Sequence, residues 1–161
     1  MRVNLGHKAR YHFSDSSALE ETENRLSLYL GAPGCSATVV GRLPPELARL
    51  IGGFSREVIV SRVTIMKIRA KHREITFPDI ELLNYAFNNA RVQRDGPRHL
   101  VLLFSSPVDD RKCYKAVVKA TRDGAHLILS TYQQCKPGRR LRQAMKRGTV
   151  VREMMGGRLP E

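Results

Sequence analysis

Five histidines, His7, His12, His72, His99 and His126, are the groups in this chain best suited to exchanging a proton near neutral pH. Their spacing matches no metal-ligand pattern, and Cys35, Cys113 and Cys135 contain no CxxC pair. Neither a zinc cluster nor a disulfide framework is expected, so the default is three free thiols, no metal and no cofactor. There is no Walker loop, no GxGxxG opening a helix, no GxSxG, no HExxH and no carboxylate cluster suited to magnesium. What remains is chemistry done by side chains alone. His72 lies in "IRAKHREITFPDIELL", near the end of one predicted helix and just ahead of the start signal of another. A core imidazole, a metal ligand and a proton-transfer group would each suit that position. Lys115 and Lys119 can offset negative charge, and Ser130, Thr131 and Tyr132 can orient an oxygen through their hydroxyls. Those are the parts needed to cleave RNA without a metal, because the substrate brings its own 2′-hydroxyl nucleophile.

The charge distribution points the same way. The 161 residues carry 28 Lys+Arg against 15 Asp+Glu, a formal net charge of +13, beyond what solubility needs. Residues 1–41 contribute 4 basic and 4 acidic side chains, so the whole excess lies beyond them. From Arg111 to Arg158 there are 13 basic residues against Asp123 and Glu153. A polyanionic partner, bound with a steep salt dependence, is the natural expectation. The N-terminus lacks the apolar run of a signal peptide, and no stretch approaches the roughly 20 apolar residues that span a bilayer. The reading is a soluble protein folded in a reducing compartment, with no membrane partner.

The elements that must position these residues follow from periodicity. A 42% hydrophobic content and this length fit one main domain. Residues 1–38 read as a poorly defined leader, with a short helix in "SDSSALEETENRLSLYL", and 156–161 read as a tail. "ATVVGRLPPELARLIGG" gives a strand and then a helix with Pro at its start and Gly past its end. A helix is predicted over Arg62–Arg73 with Ser61 as N-cap; Ile65, Ile68 and His72 at i, i+3 and i+7 put the imidazole on the apolar stripe. "TFPDIELLNYAFNNA" predicts a second helix reaching about Ala90. "RVQRDGPRHLVLLF" and "KCYKAVVKATRDGAHLILSTYQ" then read as strands, the latter a hairpin with Asp123-Gly124 at its tip. Either that two-residue loop or a four-residue loop over Arg122–Ala125 pairs Lys119 with Ile128, Val117 with Ser130 and Lys115 with Tyr132. Ala116, Val118, Ala120, Leu127 and Leu129 then share an apolar face. Lys115, Lys119, Thr121, His126, Ser130 and Tyr132 share the open one, with Val117 and Ile128 between them. The same register turns Thr131 towards the core and puts Cys113 and Cys135 on opposite faces. After a turn, Leu141, Ala144 and Met145 mark a short basic helix, followed by a last strand beyond Gly148.

This order of elements resembles the phage-associated branch of the barnase, EndoU, colicin and RelE-like (BECR) nuclease superfamily. The resemblance covers roughly Val39 to Glu153 and rests on Lys71-His72, Tyr114 to Lys119 and Ser130-Thr131-Tyr132. It implies an α+β fold over 39–155, with N-terminal helices packed on one face of a four-stranded or larger antiparallel sheet. It also implies a metal-independent endoribonuclease, a toxin acting in a cytoplasm and carried by a phage or delivered into a target cell. In that scheme His72 moves a proton, Lys115 and Lys119 contact the scissile phosphate, and the "STY" strand supplies a hydroxyl. Lys71, His126, Gln133, Arg139, Arg140 and Arg142 would help bind substrate. Gln133 and Gln134 stand where the family pattern leads one to expect an arginine or histidine, which passes that role to Arg139 or Arg140. His126 or Tyr132 would be the second acid/base group. The expected partners are RNA, with tRNA as one candidate, and an acidic immunity protein or antitoxin. Two other readings use the same basic sheet face: a nucleic-acid binder without catalysis, and a structural or interaction domain of a phage particle.

Overall fold

The computed structural model describes residues 2–5, 9–12 and 18–161. His7 and the Ser/Asp stretch at 14–17 lie outside the described residues. Strands β1 (Arg2–Leu5) and β2 (Ala9–His12) pair antiparallel as a separate two-stranded sheet. The remaining order is α1 (Ala18–Leu30), β3 (Ala37–Arg42), α2 (Pro45–Leu50), β4 (Glu57–Ser61), α3 (Arg62–Lys71), α4 (Phe77–Glu81), α5 (Leu83–Asn89), β5 (Arg91–Arg94), β6 (His99–Ser105), β7 (Cys113–Ala120), β8 (Leu127–Gln134), α6 (Arg139–Met145) and β9 (Thr149–Arg152). The fold is α+β. Its seven-stranded sheet runs β3-β4-β8-β7-β6-β5-β9, and every pairing is antiparallel except β4 with β8.

Alternation along the strands divides the apolar side chains between two faces. Leu100, Leu102, Phe104, Tyr114, Ala116, Val118, Leu127 and Leu129 are buried with Leu28, Leu47, Ile65, Ile68, Ile80, Leu83 and Phe87 from α1 to α5. On the opposite face a smaller core joins Val101, Leu103, Cys113 and Cys135 to Leu141 and Ala144 of α6. Helices therefore cover both faces, with α6 alone on the second. Its seat is fixed from below: buried Gln93 donates from Nε2 to the carbonyl of Ala144 at 2.9 Å and also to that of Arg147. The sheet face beside α6 stays open around Lys115, Lys119 and Thr131.

Helix α1 is part of the packed body. Leu28 is buried against the sheet, and Arg25 reaches Glu81 of α4 at 2.6 Å while donating to the Val39 carbonyl. The boundary drawn at residue 38 falls inside β3. The helix anticipated from Thr76 to Ala90 is broken at Leu82 into α4 and α5. Gly41 sits at a bulge between β3 and β4, where a Cβ would come within 2.7 Å of the Phe87 ring; only glycine lets α5 lie this close.

The β7–β8 hairpin closes through the four-residue loop Arg122–Ala125. Thr121 N–H bonds to the His126 carbonyl, and Gly124, with φ +72°, docks its carbonyl on the Phe54 N–H at 2.8 Å. Near this turn the register is the one expected, with Lys119 facing Ile128 and Val118 facing Leu129. A bulge then shifts it by one residue, so that Val117 faces Thr131, Ala116 faces Tyr132 and Lys115 faces Gln133. Because side chains alternate with period two, the extra residue at Ser130 exchanges the two faces for the rest of β8. Tyr132 therefore lies in the core, fully buried, instead of on the open face, and Thr131 is exposed instead of turned inward. Cys113 and Cys135 also end on one face of the sheet, inside the same small core.

A buried polar knot joins the helices to this hairpin. Asp79, in the first turn of α4, accepts from Tyr114 Oη at 2.7 Å through one carboxyl oxygen and from Thr76 N and Oγ1 at 2.8 and 2.9 Å through the other. Its backbone carbonyl accepts from Tyr132 Oη at 2.7 Å. Each group is satisfied, which is what makes a carboxyl group tolerable at this depth. Tyr114→Phe removes one donor and leaves the Asp79 oxygen without it; unfolding in urea is expected to show a loss of about 1.5–3 kcal/mol with an unchanged m-value.

Candidate functional site

Helix α3 starts where Ser61 Oγ caps the Thr64 N–H and stops at Lys71, two residues earlier than the sequence pattern predicts. His72 is its C-cap. The backbone N–H still bonds to the Ile68 carbonyl at 2.7 Å, but φ −127° and ψ 69° carry the chain out of the helix. The imidazole is thereby lifted off the apolar stripe; its side chain is 28% exposed. That exposure decides between a core histidine and an accessible one. Two residues on, Glu74 Oε1 lies 3.7 Å from His72 Nδ1 and accepts from the Gln134 N–H at 3.4 Å, docking the turn onto β8.

His72 and Glu74 meet the hairpin at a cavity of about 470 Å³. Lys115 and Gln133, which face each other across β7 and β8, line it together with Gln134 and Cys135. Lys71 closes it from α3, and Lys136, Arg140 and Ala144 close it from α6 and the segment leading into it. Four cations thus surround one carboxylate and one imidazole. The excess of positive charge suits a phosphate-bearing ligand better than a cationic or apolar one, although the carbonyl end of α3 by itself favours cations.

One wall of the cavity is Cys135, whose neighbour across the strands is the buried Cys113. The Cys135 N–H bonds to the Cys113 carbonyl at 2.8 Å, and Cys113 Sγ donates to the Cys135 carbonyl. Both cysteines are free. The contact with the Cys113 thiol, helped by Lys115 and Arg140 and opposed by burial, brings the Cys135 thiol down to about 7. The same contact, with burial, pushes Cys113 far up.

Of the residues singled out in the sequence, the structure brings His72, Lys71, Lys115, Gln133 and Arg140 to one place. Lys119 shares the open face but sits four residues along β7 from Lys115, about 13 Å away at strand rise, facing His99 on β6. Thr131 is exposed between them, and Ser130 is half-buried at the bulge; neither lines the cavity. Arg139 and Arg142 are exposed on α6 away from it. His126 sits at the hairpin tip, where burial depresses its pKa below the ordinary value and Asp123 opposes the shift. It is too far along the hairpin to serve as a second acid/base group in this cavity. Tyr132 cannot serve either, because burial holds its hydroxyl well above the usual range and Asp79 occupies it. Glu74, Cys135 and Lys136 were missed. Glu74 stands two positions after His72, but its role depends on a helix end that carries no glycine stop signal.

Among the described residues no group of three or more His, Cys, Asp or Glu side chains could hold a metal ion, and no helix is long and apolar enough to cross a membrane. Compared with protein-family models, with curated proteins and with solved structures, the chain matches none. The site is therefore read from its own geometry.

The bulge makes a test of neighbours. Thr131→Val is expected to change stability by no more than about 0.5 kcal/mol, as for an exposed position. Tyr132→Phe should cost about 0.5–1.5 kcal/mol through the lost bond to Asp79. Denaturant midpoints of the two variants check this, and the reverse order would restore the unbulged register.

Proposed function

We propose that the cavity binds a phosphodiester of RNA and cleaves it without a metal, by attack of the substrate's own 2′-hydroxyl, leaving a 2′,3′-cyclic phosphate. The observation that carries this reading is the gathering of His72, Glu74, Lys71, Lys115, Lys136 and Arg140 around one cavity. In the reaction the 2′-oxygen loses its proton as it bonds to phosphorus, and the leaving 5′-oxygen gains one as its bond breaks. His72 is the proton-transfer residue, and Glu74, 3.7 Å away, is a carboxylate placed to ion-pair with the imidazole when it is protonated and to serve as the second acid/base group. Lys115, rooted in a central strand, stabilises charge that develops on the phosphate. Lys71, Lys136 and Arg140 hold the flanking phosphates, and Gln133 supplies neutral hydrogen bonds. Such an enzyme acts where RNA is, in a cytoplasm, as a toxin carried by a phage or delivered into a target cell, and an acidic protein covering the basic rim would serve as its inhibitor. The ancestry most consistent with this scheme is the phage-associated branch of the BECR superfamily.

A second reading, binding without cleavage, is favoured by one feature: among the described histidines His72 alone lines the cavity. The two readings separate in a digestion of total RNA or tRNA with excess chelator. Cleavage with cyclic-phosphate ends is expected, slower by roughly 10²–10⁴ in His72→Ala and by about 10²–10³ in Lys115→Ala. Intact RNA across a broad panel, or equal cleavage by His72→Ala, overturns the enzymatic reading.

Binding itself should depend steeply on salt. If the four cavity cations each neutralise one phosphate of a single strand, log Kd changes with log salt by about 3, roughly a 50-fold loss between 50 and 200 mM. Fluorescence anisotropy with labelled single-stranded RNA measures the slope, and Arg140→Ala should reduce it by somewhat less than one.

A further inference from the structure

Cys135 has no part in the proton and charge scheme above, yet it lines the same cavity. Its partner stands directly across the strands. Tyr114 faces Gln134 in the antiparallel ladder, and the next pair out is Cys113 with Cys135, held by the Cys135 N–H to Cys113 carbonyl bond. Facing residues on one sheet face place their Cβ atoms about 4.5–5.5 Å apart. A disulfide needs about 3.5–4.5 Å, a small adjustment at the end of β8. Cys113 is only 2% exposed and Cys135 7%, so a reagent reaches the pair from the cavity side, through Cys135. The charged and titratable groups that share the cavity with Cys135 are Lys115 from β7, Lys136 and Arg140 on the α6 side, and Lys71, His72 and Glu74 from the end of α3 and its turn; Lys115 and Arg140 act on its thiol directly. Their balance is positive and favours a thiolate.

We propose that Cys135 is a peroxide-reactive thiol and that Cys113 is its resolving partner, the two forming a cross-strand disulfide in the wall of the cavity. The inference rests on the cavity and the cysteine pair and stands whether or not RNA is the ligand. The Cys135 thiolate attacks one oxygen of a peroxide; an S–O bond forms, the O–O bond breaks, and the leaving hydroxide takes up the proton the thiol had released. Cys113 sulfur then attacks the sulfenic sulfur; the S–S bond forms, the S–O bond breaks, and that oxygen leaves as water with the Cys113 proton. Two thiols are oxidised and one peroxide is reduced to two waters. The order of events follows from the environment. Cys135 is the thiol brought down to about 7, within reach of neutral pH, whereas Cys113 is held protonated beside it. Once Cys135 is a neutral sulfenic acid, the larger cause that holds Cys113 protonated, its contact with the Cys135 thiolate, is gone, and burial alone opposes its ionisation. Cys35, the third cysteine, donates its thiol to the Ala37 carbonyl at 2.8 Å and has no cysteine beside it.

The experiment treats the full chain with stoichiometric hydrogen peroxide at pH 7 and follows it by mass spectrometry. The expected product has lost two hydrogen masses, yields a peptide linking Cys113 to Cys135, and returns to the starting mass with a thiol reductant. In Cys113→Ala the disulfide is absent, and Cys135 is trapped as a sulfenic acid or proceeds to sulfinic and sulfonic acids. Alkylation of Cys135 in the unsubstituted protein is expected to be half-maximal near pH 7 and to move upward in Lys115→Ala. Oxidation of Cys35 ahead of Cys135, or overoxidation of Cys135 at the same rate with and without Cys113, overturns the proposal. The unsubstituted protein gives a decisive reading by itself, so a variant that fails to fold leaves the test intact. RNA cleavage is measured separately, and its absence would not bear on the disulfide.

Discussion

The buried carboxyl group of Asp79 is the interaction on which the geometry of this molecule depends. It reaches two strands and one helix start at once: Tyr114 of β7 and Thr76 bond to its side chain, and Tyr132 of β8 bonds to its backbone carbonyl. The three aromatic rings Phe104, Tyr114 and Tyr132 pack against one another beneath it at centroid distances of 5.1 to 6.3 Å. Two tyrosines thus have apolar bodies in the core and hydroxyls that meet a single residue, an arrangement with little tolerance for sliding. The short segment from His72 to Thr76 is held at one end by the last turn of α3 and at the other by this knot. That is why His72 and Glu74, on a connection rather than an element, still have a defined place above Lys115.

How much of this was legible in the sequence depends on the length scale of the signal. Helix starts at Ser61 and Thr76, the hairpin tip at Asp123-Gly124 and the inward residues of α6 are local, set by side chains within four residues of one another, and the structure has them where the pattern put them. The bulge at Ser130 is not local. Nothing in "LILSTYQQC" marks an extra residue, because the strand bends to place Tyr132 under Asp79, more than fifty positions away. From that one shift came three errors together: Thr131 inward, Tyr132 outward, and the two cysteines apart. The end of α3 was misjudged for a similar reason. Apolar spacing continues through His72, while the chain leaves the helix to dock Glu74 on β8.

The candidate site shows the same division. The residues chosen by chemistry and resemblance that do converge, Lys71, His72, Lys115, Gln133 and Arg140, come from α3, β7, β8 and α6. No spacing rule links them, and their meeting is a property of the sheet order. Of those that do not converge, Lys119, His126, Arg139 and Arg142 lie at the wrong distance along the hairpin or on the wrong side of α6, and Ser130, Thr131 and Tyr132 are displaced by the bulge. A basic stretch in sequence becomes a focused field only where a concave surface collects part of it.

The single parallel pairing among the described residues of the seven-stranded sheet, β4 against β8, is made by only two facing pairs, Val58 with Leu127 and Ile59 with Ile128. On one side of this seam stand β3, β4 and α3, which carries Lys71 and leads into His72; on the other stand the remaining strands, with Lys115 and, through α6, Arg140. The cavity lies beyond the seam, towards the other end of β8, where Gln133, Gln134 and Cys135 meet the turn after α3. Glu74 docked on β8 and the Asp79 knot on β7 and β8 tie the turn after α3 to the strands beside Lys115, so a shear at this short seam would fall on β3, β4 and the body of α3 while those ties keep the span from imidazole to lysine.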